Sequence, residues 1–216
     1  MTSSPTCPRL LLVGSTGAVG RHVLRLALAD PRVGQVIALT RRPLPAQAKL
    51  ENPVADFAHL PPDAPWWHVD AVICTLGTTI KAAGSQEAFA AVDRDLSVQV
   101  ARLARHAGAT RFALNSSLGA SLAGNLYLRT KAEAEAGIRR LGYPSYIIVR
   151  PSLIDAERDK SRPGEQTALI VARLFEPLIP RRYRAVKAER IARALLEGVL
   201  LDEPGERIVE SDQLQD

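Results

Sequence analysis

Arg9-Leu10-Leu11-Leu12-Val13-Gly14-Ser15-Thr16-Gly17-Ala18-Val19-Gly20 decides how the rest of the chain is read. Its apolar run feeds without alternation into a glycine-spaced turn, as a strand buried on both faces does. Beyond the turn, Val19, Val23, Leu26 and Ala27 recur at helical spacing, and Asp30-Pro31 closes the segment. Between a strand and a helix, the pattern Gly14-x-x-Gly17-x-x-Gly20 has a physical use. The first glycine permits the tight turn, the second lets a pyrophosphate approach the backbone, and the third lets helix and strand pack closely. Free N–H groups and the helix dipole then favour the anion. Gly14, Ser15, Thr16, Gly17, Ala18 and Val19 are therefore candidate dinucleotide-binding residues.

Outward from this turn, strands are expected at Gln35–Thr40, Pro53–Asp56, Asp70–Cys74, Arg111–Asn115 and Ser145–Arg150. A long helix is expected across residues 85–107, with Phe89, Leu96, Val100, Leu103 and Ala107 on one stripe and Gly108 as its stop. Another spans Asn125–Leu141. Strands alternating with helices predict an α/β fold, a doubly wound parallel sheet with helices on both faces. After Pro151 the alternation weakens. A charged loop from Asp155 to Glu165 precedes helices near 166–175 and 187–201, read as a short C-terminal extension over the substrate side. The chain reads as one domain over residues 1–216, with a cofactor-binding core at 9–151 and the extension at 152–216.

A length of 216 residues suits a single domain, and 46% hydrophobic with 24% charged residues is ordinary for a globular protein. Cys7 and Cys74 are too few for a disulfide framework. With no secretory signal pattern, they predict a reducing, cytoplasmic setting. No apolar run approaches the roughly 20 residues of a membrane helix, so no membrane partner is expected. Arginine supplies most of the net charge of +5, but it is spread along the chain and aromatics make up only 5%. That distribution describes a solvated basic surface rather than a nucleic-acid interface.

Several residues at strand ends carry chemistry. Thr40-Arg41-Arg42 follows Gly20 by about twenty residues, where an NAD site uses an acidic residue on the ribose. None is present, and Arg41 and Arg42 can instead bracket a 2′-phosphate, which favours NADP over NAD. Asp56, with Phe57 behind it, lies where the adenine edge should arrive. Thr75, Leu76 and Gly77 should run beneath the ribose and phosphates, with Cys74 a small core residue. In Tyr127-Leu128-Arg129-Thr130-Lys131 the tyrosine and lysine share one helix face, where the ammonium can bring the phenol into proton exchange near neutrality. Ser116-Ser117 closes the fifth strand, and Ser117, with Ser116 as the alternative, can donate to a developing oxyanion. These parts predict hydride transfer to or from a small carbonyl compound, with Tyr127 moving the proton. His22, His59, His68 and His106 lack metal-ligand spacing, so no metal is assigned. Trp66-Trp67 reads as a loop anchor.

Taken together, the glycine turn, Ser116-Ser117, Tyr127-x-x-x-Lys131 and Arg150-Pro151 resemble the short-chain dehydrogenase/reductase superfamily. Cys74 to Thr79, Val92-Asp93-Arg94-Asp95 and Ser161-Arg162-Pro163-Gly164-Glu165 are similar to its atypical branch of Tat-interacting oxidoreductase-like proteins. The resemblance spans about residues 9 to 200. It implies a Rossmann fold binding NADP(H), with Ser117, Tyr127 and Lys131 catalytic and with Lys131 and Pro151 beside the cofactor. Asp93 stands where many relatives carry asparagine, and the serine-to-tyrosine spacing is shorter than in many of them. The branch includes proteins regarded as regulators, so an NADPH-binding sensor without turnover is one alternative. A sugar-nucleotide epimerase or dehydratase is another, although the short tail leaves little surface for so large a substrate. Relatives often pair through helices, which leaves a homodimer open.

Overall fold

In this computed structural model, residues 7–155 and 179–215 are described. The first strand, β1 (Arg9–Val13), pairs in parallel with β2 (Gln35–Leu39) on one side and β4 (Ala71–Cys74) on the other. A two-residue β3 (Leu50–Glu51) borders β2, while β5 (Arg111–Asn115), β6 (Ser145–Arg150) and β9 (Gly205–Glu210) extend the far side. The seven-stranded order β3-β2-β1-β4-β5-β6-β9 reverses direction between β1 and β4. In an open α/β sheet, ligands bind at the carboxyl ends beside such a switch point.

Both faces of the sheet are covered. On one, α1 (Gly20–Ala29) and α6 (Ala188–Leu200) bury Val23, Ala27, Ile191 and Leu195 against Leu10, Leu12 and Ile147. On the other, α4 (Ser97–His106) and α5 (Leu126–Arg139) bury Val100, Ala104 and Ile138 against Leu11, Val72 and Phe112. Consecutive residues of β1 thus face opposite cores, which is why its sequence shows no alternation. Trp67 anchors its loop as expected: it is buried, and its indole N–H donates to the Pro61 carbonyl at 2.8 Å.

Two expectations are corrected, and one strand was missed. The third strand lies at Leu50–Glu51 rather than Pro53–Asp56, and only a single bridge, Thr40 to Val54, remains of the latter. Pro53 has no N–H for a ladder, and the Asn52 side chain fills in by donating to the Ala38 carbonyl at 2.6 Å and the Thr40 hydroxyl at 2.8 Å. The long helix is composite: α3 (Gln86–Ala90) passes through a π-helical turn, Ala91–Leu96, into α4. Finally, β9 was not anticipated. Among the described residues it is an edge strand paired only with β6, and its charged residues obscure the apolar signal.

The expected helix at 187–201 is α6, which belongs to the sheet face with α1. The carboxyl edge beyond β6 instead carries a short parallel pair, β7 (Ile154–Asp155) with β8 (Val186–Lys187). The helix near 166–175 and the Ser161–Glu165 motif lie outside the described residues.

Candidate cofactor cleft and catalytic helix

At the carboxyl ends of β1, β2 and β4 a cleft of about 590 Å³ opens. Its lining includes Gly14, Ser15, Thr16, Gly17, Arg41, Phe57, Thr75, Leu76 and Gly77, which converge from four separate stretches of sequence. Val92, Leu96 and Ala88 close the opposite wall. Backbone dictates the turn. Gly14 has φ +85°, where side chains are strained, and a Cβ there would stand 2.7 Å from Thr75. A Cβ on Gly20 would fall 2.0 Å from the Gly14 carbonyl oxygen, so helix and turn could not approach. Thr75 holds the same junction from β4, its hydroxyl donating to the Val13 carbonyl at 2.9 Å.

The start of α1 has no side-chain cap and no acidic residue in its first turn, which suits an anion at that end. The Ser15 hydroxyl is buried without a hydrogen-bond partner among the described residues. An orphaned hydroxyl on a glycine turn, a bare helix N-terminus and an aromatic wall at Phe57 fit a dinucleotide. Of the other residues singled out for the cofactor, Ala18 is exposed and Val19 is buried in the core. Arg42 is exposed beside Arg41, and its carbonyl accepts from the Thr40 hydroxyl at 2.7 Å. The Asp56 carboxylate takes the Ala58 N–H at 2.9 Å and meets His59 Nδ1 at 2.9 Å, and these contacts hold it below the usual carboxylate range. Pro151 is buried, its carbonyl accepting the Leu118 N–H at 2.8 Å.

The catalytic candidates sit one strand further along. Asn125 caps α5 by accepting the Leu128 N–H at 3.0 Å, which starts the helix so that Tyr127 and Lys131 lie one turn apart. Phe89 of α3 stacks on the Tyr127 ring, with centroids 5.6 Å apart and planes 28° apart. Lys131 is buried, its Nζ 2.6 Å from Oδ1 of the fully buried Asp93 and 6.0 Å from the Tyr127 ring centroid. A Cβ built on Gly77 would lie 3.6 Å from Lys131 Nζ, so this ammonium borders the cofactor cleft. Cys74, beneath it, is fully buried, and burial pushes its thiol up.

The two serines have different surroundings. Ser116 is buried and donates to Glu135 Oε1 at 2.5 Å, while Ser117 is half-buried. Glu135, one turn beyond Lys131 on α5, is held bidentately by Arg150 at 2.9 and 2.6 Å, and Arg150 reaches Glu210 of β9 at 3.0 Å. Sequence reading missed Glu135 altogether and took Phe89 as core stripe. Phe89 and Asp93 share the four-residue spacing of Tyr127 and Lys131, the one signal that could have paired the two segments. Among the described residues there is no cluster that could hold a metal ion and no helix long and apolar enough to cross a membrane.

A family model described as NAD(P)H-binding matches residues 14–197. The chain belongs to this family. It is 36% identical over 191 residues to the mitochondrial protein fmp52 of Emericella nidulans, covering 82% of this chain and 78% of that protein. It is 32% identical over 200 residues to protein HTATIP2 of Rattus norvegicus, covering 88% and 81%. The resemblance to the Tat-interacting proteins therefore holds. Among solved structures, MoeE5 in complex with UDP-glucuronic acid and NAD superposes with a TM-score of 0.73 at 17% identity, covering 94% of this chain and 76% of that one. The oxidoreductase ylbE from Lactococcus lactis gives 0.66 at 20% identity, covering 90% and 85%. These likenesses bear out the Rossmann-type sheet.

One expectation is overturned. The fmp52 relatives of Emericella nidulans and several Aspergillus species are named mitochondrial, against the cytoplasmic setting read from the cysteines. Cysteine usage separates oxidising from reducing compartments and does not tell one reducing compartment from another.

Proposed function

We propose that this protein is an NADP(H)-dependent oxidoreductase that interconverts a small carbonyl compound and its alcohol. The observation that carries the reading is the border between the two sites. Lys131, one turn from Tyr127, has its ammonium next to Gly77 of the cofactor cleft. The Gly14–Gly17 turn would seat the pyrophosphate, Phe57 the adenine, and Arg41 with Arg42 the 2′-phosphate. Bound there, the nicotinamide supplies or accepts hydride at the carbonyl carbon.

The chain's own residues handle the proton. Tyr127 gives a proton to the carbonyl oxygen in reduction and takes it back in oxidation. The positive charge of Lys131 stabilises the phenolate that results. Ser117 donates to the oxygen as its charge develops, an assignment supported by the commitment of the Ser116 hydroxyl to Glu135. Phe89 fixes the plane of the Tyr127 ring.

The test is a titration with NADPH and with NADH, followed by nicotinamide fluorescence, and then a screen of small aldehydes and ketones. NADPH is expected to bind the tighter. Tyr127→Phe is expected to lower turnover by about a hundredfold or more while leaving NADPH affinity intact. Equal affinity for both cofactors would remove the role given to the arginines. Unchanged turnover in Tyr127→Phe would remove the mechanism, and NADPH binding without any turnover would leave a sensor.

A further inference from the structure

Asp93 is buried, acidic and aimed at a catalytic candidate, yet the proton chemistry above makes no use of it. It sits in the π-helical turn Ala91–Leu96. Such turns are rare and concentrate at functional sites. Its two oxygens point to different parts of the site. Oδ1 meets Lys131 Nζ at 2.6 Å and has no hydrogen-bond partner among the described residues, so the ammonium compensates its charge. Oδ2 accepts the backbone N–H of Thr78 at 2.8 Å, on the loop that lines the cofactor cleft. Gly77 lies between them, where a Cβ would stand 3.5 Å from Oδ1 and 3.6 Å from Nζ. One turn earlier Phe89 stacks on Tyr127, so residues 89 and 93 match residues 127 and 131 pair by pair.

We infer that Asp93 is a positioning residue that ties the Lys131 ammonium to the cofactor loop and sets the charge that Tyr127 feels. The inference rests on the oxidoreductase reading for its use but not for its geometry. A full carboxylate differs here from a neutral amide. It offsets most of the lysine's charge, so the ammonium supports a phenolate less strongly than it would alone. It also makes the loop and the ammonium one unit, because moving either breaks a buried contact.

Other ionisable groups around the pair are accounted for. Cys74 faces it from β4 and is kept a neutral thiol by burial. On α5, Glu135 is neutralised by Arg150. On the π-helical turn, Arg94 is engaged with Asp95 and Glu133, each at 2.7 Å.

The experiment reads the phenolate directly. Ultraviolet absorbance is followed against pH, and the difference between each protein and its Tyr127→Phe counterpart isolates the Tyr127 band. Asp93→Asn keeps an acceptor for the Thr78 N–H and removes the charge. Its phenolate band is expected at a pH lower by about one unit. Its NADPH affinity is expected to stay within about threefold of the parent. Asp93→Glu retains the charge and is expected to restore most of the parent titration. Asp93→Ala also loses the acceptor and is expected to bind NADPH about tenfold more weakly. A band that does not move in Asp93→Asn overturns the inference, whatever happens to turnover. Should Asp93→Asn fail to fold, the double variant with Lys131→Gln decides. Recovery of a cooperative unfolding transition supports the ion pair, and no recovery overturns it. Failure of the oxidoreductase reading shows separately, as absent turnover with the phenolate shift intact.

Discussion

Between β1 and α1 the decisive contacts are made by backbone. Gly20 packs on the Gly14 carbonyl, and both lie against Thr75. Between α3 and α5 they are made by side chains, Phe89 on Tyr127 and Asp93 on Lys131. A backbone junction can be met by one residue type, so its requirement appears in the sequence as glycine at fixed spacing. A side-chain junction can be met by many pairs. Its sequence shows the candidate residues and hides their partners. The first region should therefore fail abruptly when altered and the second by degrees.

Gly20→Val is the harshest way to try that contrast. Its side chain would start 2.0 Å from a carbonyl oxygen, and we expect a loss of more than about 3 kcal/mol in thermal unfolding, together with loss of NADPH binding. A stable Gly20→Val protein that still binds cofactor would show that the turn is not the rigid part. Glu135→Ala tests the buried network behind α5. It leaves Arg150 with Glu210 alone and strips the Ser116 hydroxyl of its acceptor, so a loss of about 2 kcal/mol in denaturant unfolding is expected. An unchanged midpoint would mean that the network is solvated and carries little.

The two smaller effects are functional. Arg41→Ala is expected to weaken NADPH by about tenfold and leave NADH alone, as loss of a charge-assisted contact should. Parallel losses for both cofactors would make Arg41 a general electrostatic contributor. Phe89→Leu keeps an apolar side chain but loses the ring stack, and we expect kcat to fall about fivefold with little change in KM. A change in KM alone would assign Phe89 to substrate binding instead.

Most of the sheet was legible. The observed limits of β1, β5 and β6 match those expected from apolar runs bounded by glycine, asparagine or proline. Legibility fell where one signal had two meanings. Pro53–Asp56 looked like a strand, but proline has no N–H for a ladder, the Asn52 side chain takes up the Ala38 carbonyl, and a single bridge at Val54 is left. Gly205 to Glu210 carried no element in the sequence reading, and pairing with β6 makes them an edge strand. No local pattern marks the π-helical turn, which places Asp93 beside Lys131 while Phe89, one turn earlier, stacks on Tyr127.

What the sequence determined by itself was the chemistry on offer. It showed a glycine turn opening a helix, arginines where an acid would select NAD, and a tyrosine and lysine sharing a face. Each follows from rules acting within about twenty residues, through covalent geometry and helical period. The tertiary structure decided the partnerships: Ser116 with Glu135 and Arg150, Lys131 with Asp93, and Phe89 with Tyr127. Those depend on crossovers that bring distant segments to one sheet edge, and on burial, which leaves a carboxylate no option but the ammonium beside it.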